Sequence, residues 1–165
     1  TRHQGFEIRV SSRIFDHSAF PGKLSVDLSY TGSINRFIDF TDDGNTYDGN
    51  MLPGIPRQSV QMKISWAAIK VLELSSHLQY TGNQYITDNN TAEYPGYFLC
   101  DVKLTSPLNI KNRFPLHLYA GINNLTDTHY ASMLIVNAIG FNNAEPRYYY
   151  PGLPRHFYGG IRLSF

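Results

Sequence analysis

Apolar and polar residues alternate one by one along seven separate stretches of this chain, and the spacing of an amphipathic helix is weak everywhere. In KLSVDLSY, for example, Leu24, Val26 and Leu28 fall on one face, and Ser25 and Asp27 fall on the other. A period of two is typical of β-strands whose two faces meet different surroundings. The pattern predicts an all-β fold with strands at 4–14, 23–33, 57–67, 71–82, 96–106, 115–125 and 154–165.

The lengths of the strands and of their connections limit the architectures that this chain can adopt. Each predicted strand has about 11 residues, and a tilted strand needs about 9–11 residues to cross the hydrocarbon of a bilayer. Short and long connections alternate, so tight turns collect at one end of an up-and-down sheet and long loops at the other. Outer-membrane barrels show this asymmetry. We therefore expect an antiparallel up-and-down transmembrane β-barrel segment.

The alternation by itself fits two environments. In a soluble barrel or sandwich the apolar face points inward, whereas in a membrane barrel it meets lipid and the charged face lines a wet lumen. Tyr30 and Tyr80 lie near the long-loop ends of their apolar faces, and Trp66 lies at the opposite end. These are positions of an interfacial aromatic girdle. Together with strand length and loop asymmetry, they favour the membrane barrel.

The composition excludes several classes of function. The 165 residues carry a formal net charge of +1 and 16% charged residues, so the chain has no basic footprint for nucleic acid. One cysteine, Cys100, excludes an internal disulfide and a multi-cysteine metal site. The 6 histidines show no close spacing, and no hydrolase motif is present. We expect no enzymatic activity, no catalytic residues, no metal ligands and no cofactor.

The odd number of strands predicts that the barrel is larger than this chain. Bacterial single-chain barrels have an even strand number. A meander of seven strands would leave two open edges, and each unpaired backbone group costs several kcal/mol in lipid. We therefore expect residues 1–165 to be the C-terminal portion of a larger barrel.

Four segments resemble known receptor sequences. The final YGGIRLSF resembles the C-terminal assembly signal of outer-membrane barrels, with Tyr158, Gly160, Leu163 and Phe165 at the signal positions. YAGINNLTDTHY is similar to the N-L-(F)-D-x-x-Y segment of TonB-dependent outer-membrane receptors, except at Thr126, where an aromatic residue is more usual. RHQGFEIRV and PGIPRQSVQMKISW resemble two further strands of these receptors. The chain thus resembles the C-terminal part of a TonB-dependent receptor barrel.

The resemblance implies a 22-stranded barrel in the bacterial outer membrane, filled by an N-terminal plug domain that residues 1–165 do not contain. It implies import of a scarce solute, such as a ferric siderophore, haem or cobalamin, with energy from TonB. The implied partners are the rest of the barrel and its plug, outer-membrane lipid, the TonB complex through the missing N-terminal part, and the outer-membrane assembly machinery. Two alternatives stay open: another outer-membrane barrel such as a porin, and a soluble lipocalin-type ligand-binding β-barrel.

Candidate ligand-binding residues fall in the longest loop, 126–153. There PRYYYPG supplies Arg147, Tyr148, Tyr149 and Tyr150, and His129 lies just past the end of the sixth strand. Arginine offers a planar fork of charged donors, and tyrosine offers stacking area with a hydroxyl. This set predicts contact with an anionic, aromatic or metal-chelate ligand. The alternative is that the tyrosines form an interfacial belt or pack the loop on its neighbours.

Overall fold

In the computed structural model the described residues are 1–17, 20–110, 114–140, 142, 144 and 146–163. No helix in this part of the chain has the length and hydropathy needed to cross a membrane. In chain order the strands are β1 (Arg2–His17), β2 (Phe20–Arg36), β3 (Thr41–Asp42), β4 (Asn45–Thr46), β5 (Gln58–Ile69), β6 (Leu72–Thr81), β7 (Gln84–Tyr85), β8 (Glu93–Tyr94), β9 (Tyr97–Ile110), β10 (Phe114–Asn123), β11 (Ala131–Leu134), β12 (Tyr149–Pro151) and β13 (His156–Leu163).

Seven of these strands form one antiparallel meander in the order β1-β2-β5-β6-β9-β10-β13. They correspond one to one to the seven strands predicted from the alternation, which confirms the all-β fold. Three of them, β1, β2 and β9, are longer than expected, with 16, 17 and 14 residues. The extra length lies at strand ends, where the alternation of apolar and polar residues fades but backbone pairing continues.

The connections alternate as predicted. At one end of the sheet, β1 is separated from β2, β5 from β6 and β9 from β10 by only two or three residues of sequence. At the other end lie three long connections, which we name the first (37–57), second (82–96) and third (124–155) long loops. Each carries one short hairpin, β3-β4, β7-β8 and β11-β12 respectively. The asymmetry expected of an outer-membrane barrel is therefore present.

Backbone register places the apolar side chains of neighbouring strands side by side. Ile8 pairs with Tyr30, which pairs with Val60 on its other side. Nothing in the described chain covers this face: Ile8 is 52% and Val10 54% exposed. The buried apolar side chains lie in the loops instead, at Phe37, Met51, Ile86 and Ala131. A soluble barrel would bury the apolar strand face, whereas a membrane barrel presents it to lipid.

The opposite face of the sheet is polar and charged. Asp27 of β2 pairs with Lys63 of β5, Lys63 pairs with His77 of β6, and His77 pairs with Asp101 of β9. His77 Nδ1 lies 3.9 Å from Asp101 Oδ2. A row of charged and polar side chains across four strands needs water or a polar partner, so this face suits a hydrated lumen.

Two of the residues in the predicted assembly signal make close ring-to-glycine contacts on the polar face. The Tyr158 ring lies over Gly121 of β10, and the Tyr119 ring of β10 lies over Gly160. The centroids of the two rings are 6.4 Å apart, so the rings contact each other diagonally across β10 and β13. Leu163 lies half-exposed on the apolar face. Phe165 lies outside the described residues.

Candidate functional site

Asn90 of the second long loop pairs with the backbone of the first long loop. The Met51 amide donates to Asn90 Oδ1 at 2.8 Å, and Asn90 Nδ2 donates back to the Met51 carbonyl at 2.9 Å. Asn90 has a left-handed backbone (φ 56°), which asparagine tolerates better than most residues. Met51 is 6% exposed, so its paired amide and carbonyl are shielded from water. The loops therefore meet at a point where the amide and the carbonyl of Met51 are both hydrogen-bonded.

A second asparagine joins the second and third long loops in the same way. The Asp88 amide donates to Asn137 Oδ1 at 3.0 Å, and Asn137 Nδ2 donates to Asp88 Oδ2 at 2.7 Å. The Asn137 amide also donates to the carbonyl of the buried Ile86 at 2.9 Å. Asn137 again has a left-handed backbone, with φ 53°. The three long loops thus form one connected layer above the sheet.

The resemblance segment NNLTDTHY forms the base of the third long loop. Buried Asn124 donates from Nδ2 to the Thr128 and Leu153 carbonyls, at 2.9 and 3.1 Å. Asp127 accepts a hydrogen bond from the Arg155 amide at 2.8 Å. The outgoing and returning ends of the loop are therefore tied together where they leave the sheet, which explains why the segment needs an asparagine and an aspartate at these positions.

Four tyrosines from the second and third long loops and β9 form a chain of ring contacts, which we call the tyrosine cluster. Tyr149 and Tyr94 ring centroids lie 5.6 Å apart, Tyr94 and Tyr97 6.5 Å, and Tyr97 and Tyr130 5.3 Å. Tyr149 is 53% exposed, so the chain runs from solvent into the loop layer. Such a surface provides aromatic area and hydroxyl groups together.

Tyr94 is a partly buried member of the tyrosine cluster and contacts two of the other rings. Burial raises the pKa of its phenol above the ordinary value of 10.0, and the neighbouring Tyr149 and Tyr97 raise it further. A backbone hydrogen bond at Ala131 acts in the opposite direction. The phenol is therefore neutral at physiological pH and keeps its capacity to donate a hydrogen bond.

The structure brings one of the five predicted ligand residues into this cluster. Tyr149 and Tyr150 are successive residues of β12, so they point to opposite sides of the hairpin. Tyr150 and Arg147 are exposed, and Tyr148 is half-buried, with its carbonyl accepting from the Ile135 amide at 2.7 Å. His129 is exposed. Ligand contact by these five residues stays a prediction.

Sequence analysis missed the other three members of the tyrosine cluster. Tyr94 and Tyr97 come from EYPGY, where a proline-glycine turn brings two tyrosines back toward each other, and Tyr130 ends the resemblance segment. Among the described residues, no three His, Cys, Asp or Glu side chains are grouped as a metal ion would require. The tyrosine cluster itself offers aromatic stacking and hydrogen bonding.

The family model and the related sequences that match this chain all carry the names of receptors. A family model described as "TonB dependent receptor-like, beta-barrel" matches residues 1–125. The chain is 28% identical over 147 residues to the "Ferrioxamine receptor" of Yersinia enterocolitica, covering 86% of this chain and 19% of that protein. It is 29% identical over 129 residues to the "Probable TonB-dependent siderophore receptor PiuA" of Acinetobacter baumannii, covering 76% of this chain and 17% of that protein.

Solved structures share the fold. The unliganded ferric citrate transporter FecA matches with a TM-score of 0.72 at 18% identity, over 98% of this chain and 24% of that one. The closed form of the ferric-catecholate import receptor Fiu from E. coli K12 matches with a TM-score of 0.68 at 23% identity, over 98% of this chain and 20% of that one. The chain thus spans about a fifth of the length of the curated relatives that it matches.

Proposed function

Since this chain belongs to the family of TonB-dependent receptor-like β-barrels, we propose that it is part of an outer-membrane transporter that imports a ferric siderophore with energy from TonB. The relatives support this proposal because their names specify ferrioxamine and siderophore receptors. Haem and cobalamin, which the sequence resemblance also allowed, have no counterpart in those names. Import rather than catalysis is the proposed activity, and no residue of this chain is proposed to be catalytic.

The observation that carries the proposal is the connected loop layer above a membrane-facing sheet. Asn90 and Asn137 hold the three long loops together, so the surface that they present is organised before a ligand arrives. Preorganisation lowers the entropy that binding must otherwise cost. The tyrosine cluster lies on this surface, and Tyr149 exposes it to solvent. A ferric chelate is large and has flat ligand groups, which suits an aromatic surface.

The rest of the receptor is also part of the proposal. Within the described residues, β1 pairs only with β2 and β13 only with β10, so two edges of the sheet lack partners. Open edges in lipid are unfavourable, so we propose that further strands of the same barrel, to a total of 22, pair with them. Residues 1–165 then form the C-terminal portion of the barrel.

The polar face gives the barrel interior a binding surface for a plug domain. The row Asp27, Lys63, His77 and Asp101 offers both charge signs and both kinds of hydrogen-bonding group. We propose that the plug packs against this row and that the TonB complex acts on the plug. The proposed assembly step is recognition of the last strand, including Tyr158, Gly160, Leu163 and Phe165, by the outer-membrane assembly machinery.

The test is iron uptake by the full-length protein. The protein would be expressed in cells that lack their own ferric siderophore receptors, and uptake of radioactive iron would be measured with ferrioxamine and with a ferric catecholate as probes. We expect uptake of one probe in cells with TonB and none in matched cells without TonB. Uptake that continues without TonB would instead indicate a passive porin, and would overturn the proposal.

A further inference from the structure

The three long loops carry a formal charge opposite in sign to that of the rest of the chain. Together they contain eight Asp and Glu residues and three Lys and Arg residues, a formal net charge of −5. The remaining residues contain five Asp and Glu and eleven Lys and Arg, a formal net charge of +6. The acidic residues of the loops are Asp39, Asp42, Asp43, Asp48, Asp88, Glu93, Asp127 and Glu145. A surface with an excess of one sign attracts ligands of the opposite sign and repels those of the same sign.

Two of the three basic residues in the loops are already in contact with other groups of this chain. Arg155 Nη2 lies 3.9 Å from Asp127 Oδ2, and Arg155 Nη1 donates to the Leu125 carbonyl at 3.4 Å. The Arg57 guanidinium lies 5.7 Å from the centroid of the Tyr85 ring. Among the described residues, the only ion pair within the loops is Asp127–Arg155. Most of the negative charge of the loops is therefore not neutralised by a neighbouring cation.

Asp88 places one of these negative charges where the three long loops meet. Its carbonyl accepts a hydrogen bond from Asn50 Nδ2 of the first long loop at 2.9 Å, and its Oδ2 accepts one from Asn137 Nδ2 of the third at 2.7 Å. Both partners are neutral amides, so they orient Asp88 and leave its charge in place. Asp88 is half-buried, and a charge that is partly withdrawn from water is screened less than an exposed one.

Glu93 adds a second negative charge next to the tyrosine cluster. It directly precedes Tyr94 in β8 and is exposed. The second long loop contains no Lys or Arg, so Asp88 and Glu93 give it a formal net charge of −2. The faces of tyrosine rings are also negative and attract cations. The charge and the aromatic surface of this loop therefore favour the same kind of ligand, one that is not anionic.

Ferric chelates differ in net charge according to their iron-binding groups. Each hydroxamate carries one negative charge, so three hydroxamates on Fe³⁺ give a neutral complex, and a free amine on the same molecule makes it cationic. Each catecholate carries two negative charges, so a ferric tris-catecholate has three negative charges left over. At about 10 Å in water, one pair of unit charges changes a binding constant about twofold, and the excess charges of the loops add to this effect.

We infer that the three long loops select a ferric chelate without net negative charge, of the trihydroxamate class, over anionic catecholate and citrate chelates. Asp88 and Glu93 attract the cationic complex and repel the anionic one, and the tyrosine cluster contacts the surface of the bound chelate. This inference rests on the proposed import function, because it specifies the class of siderophore that the same loops bind.

The test compares three probes that share one iron centre. A ferric trihydroxamate with a free terminal amine is cationic, its acetylated form is neutral, and its succinylated form is anionic. Each probe is titrated against the full-length protein in neutral detergent at about 20 mM salt, where screening is weak, with a ferric tris-catecholate as a fourth probe. We expect the parent to bind the cationic form about thirtyfold more tightly than the succinylated form, with the acetylated form between them. This ratio should fall toward one at about 0.5 M salt.

Variants of the second long loop show whether its carboxylates cause the preference. Glu93→Gln should lower the ratio of cationic to anionic affinity about threefold, and Asp88→Asn/Glu93→Gln should lower it about tenfold. The Asp88→Asn change retains an oxygen that can accept the hydrogen bond from Asn137 Nδ2. The matched control is Glu73→Gln, the same chemical change at the tight-turn end of β6, which should bind all probes like the parent.

The outcomes separate this inference from the proposed function. Equal or tighter binding of the succinylated form or of the ferric tris-catecholate by the parent would overturn the inference and leave the import of a ferric siderophore intact. A parental ratio in both Glu93→Gln and Asp88→Asn/Glu93→Gln would also overturn it. If no ferric chelate bound saturably to the parent, the proposed function would fail, and the inference would fail with it.

Discussion

The side chain of Asn90 forms hydrogen bonds with both the backbone amide and the backbone carbonyl of Met51, although the two residues lie in different loops. One side chain thereby replaces the pairing that a β-strand neighbour would supply. It also explains why the second long loop accepts a left-handed residue at this point, since that backbone turns the side chain toward Met51. The contact between the first and second long loops at Met51 should therefore weaken when the Asn90 side chain is removed.

The first prediction concerns Asn90. Asn90→Gly keeps the left-handed backbone available but removes both hydrogen bonds to Met51, which leaves a buried amide and carbonyl unpaired. We expect the local opening free energy of the first long loop to fall by about 1–3 kcal/mol. Hydrogen exchange of the Met51 amide, followed by mass spectrometry, measures this loss. Asn89→Gly is the control because its side chain bonds only locally, to Thr91. Equal exchange in both variants would contradict the prediction.

The second prediction concerns the ring-to-glycine contacts. A methyl group on Gly160 would overlap the hydroxyl end of the Tyr119 ring, whereas one on Gly159 would meet nothing nearer than the Tyr119 carbonyl oxygen at 3.3 Å. We expect Gly160→Ala to destabilise the folded barrel by about 1–3 kcal/mol, and Gly159→Ala to cost clearly less. Urea unfolding of the full-length protein in detergent compares them. Relief of the defect by Tyr119→Ala in the same chain would identify the clash as its cause.

The third prediction concerns the face that meets lipid. Leu118 lies at the middle of β10 on the apolar face, next to Ile161. Leu118→Arg should cost about 2–4 kcal/mol if this position lies near the bilayer midplane. His117→Arg is the matched control, since its side chain points to the polar face and a charge there stays hydrated. Folding in lipid vesicles, measured by denaturant titration, distinguishes the two. Equal stability would mean that the faces are assigned the wrong way round.

The fourth prediction concerns Tyr94. Because burial raises its pKa, the folded state holds the phenolic proton more tightly than the unfolded state does. The resulting stability is fully present below pH 10 and is lost as the pH rises through the folded-state pKa. Alkaline titration of tyrosinate absorbance should therefore show a late-ionising tyrosine that disappears in Tyr94→Phe. It should persist in Tyr47→Phe, the control in the first long loop. A late component in both variants would contradict the assignment.

The sequence predicted the sheet well because its strands lie between lipid and a wet lumen. That environment favours alternating apolar and polar residues along each strand, so the strands are visible in the sequence. The family model confirms the TonB-dependent receptor family inferred from the four resembling segments, and the solved structures confirm the barrel fold. The seven strands were located to within a few residues at most ends.

The packing of the three long loops against each other could not be predicted from the sequence. Its geometry depends on contacts between segments far apart in the chain, such as Asn50 to the Asp88 carbonyl at 2.9 Å. No local pattern encodes such a contact. The sequence predicts that the three consecutive tyrosines contact a ligand together. In β12, however, successive side chains point to opposite sides, which separates Tyr149 from Tyr150. The ring partner of Tyr149 is Tyr94, which comes from another loop.

The most direct test of this account is the affinity of the full-length protein for ferric siderophores. Ferrioxamine, a ferric catecholate and ferric citrate would be titrated against the parent protein, Tyr149→Ala and Tyr47→Ala in detergent. The account predicts saturable binding of one probe by the parent, a loss of about three- to tenfold in Tyr149→Ala, and parental affinity in Tyr47→Ala. Parental affinity in Tyr149→Ala, or no saturable binding of any probe by the parent, would contradict it.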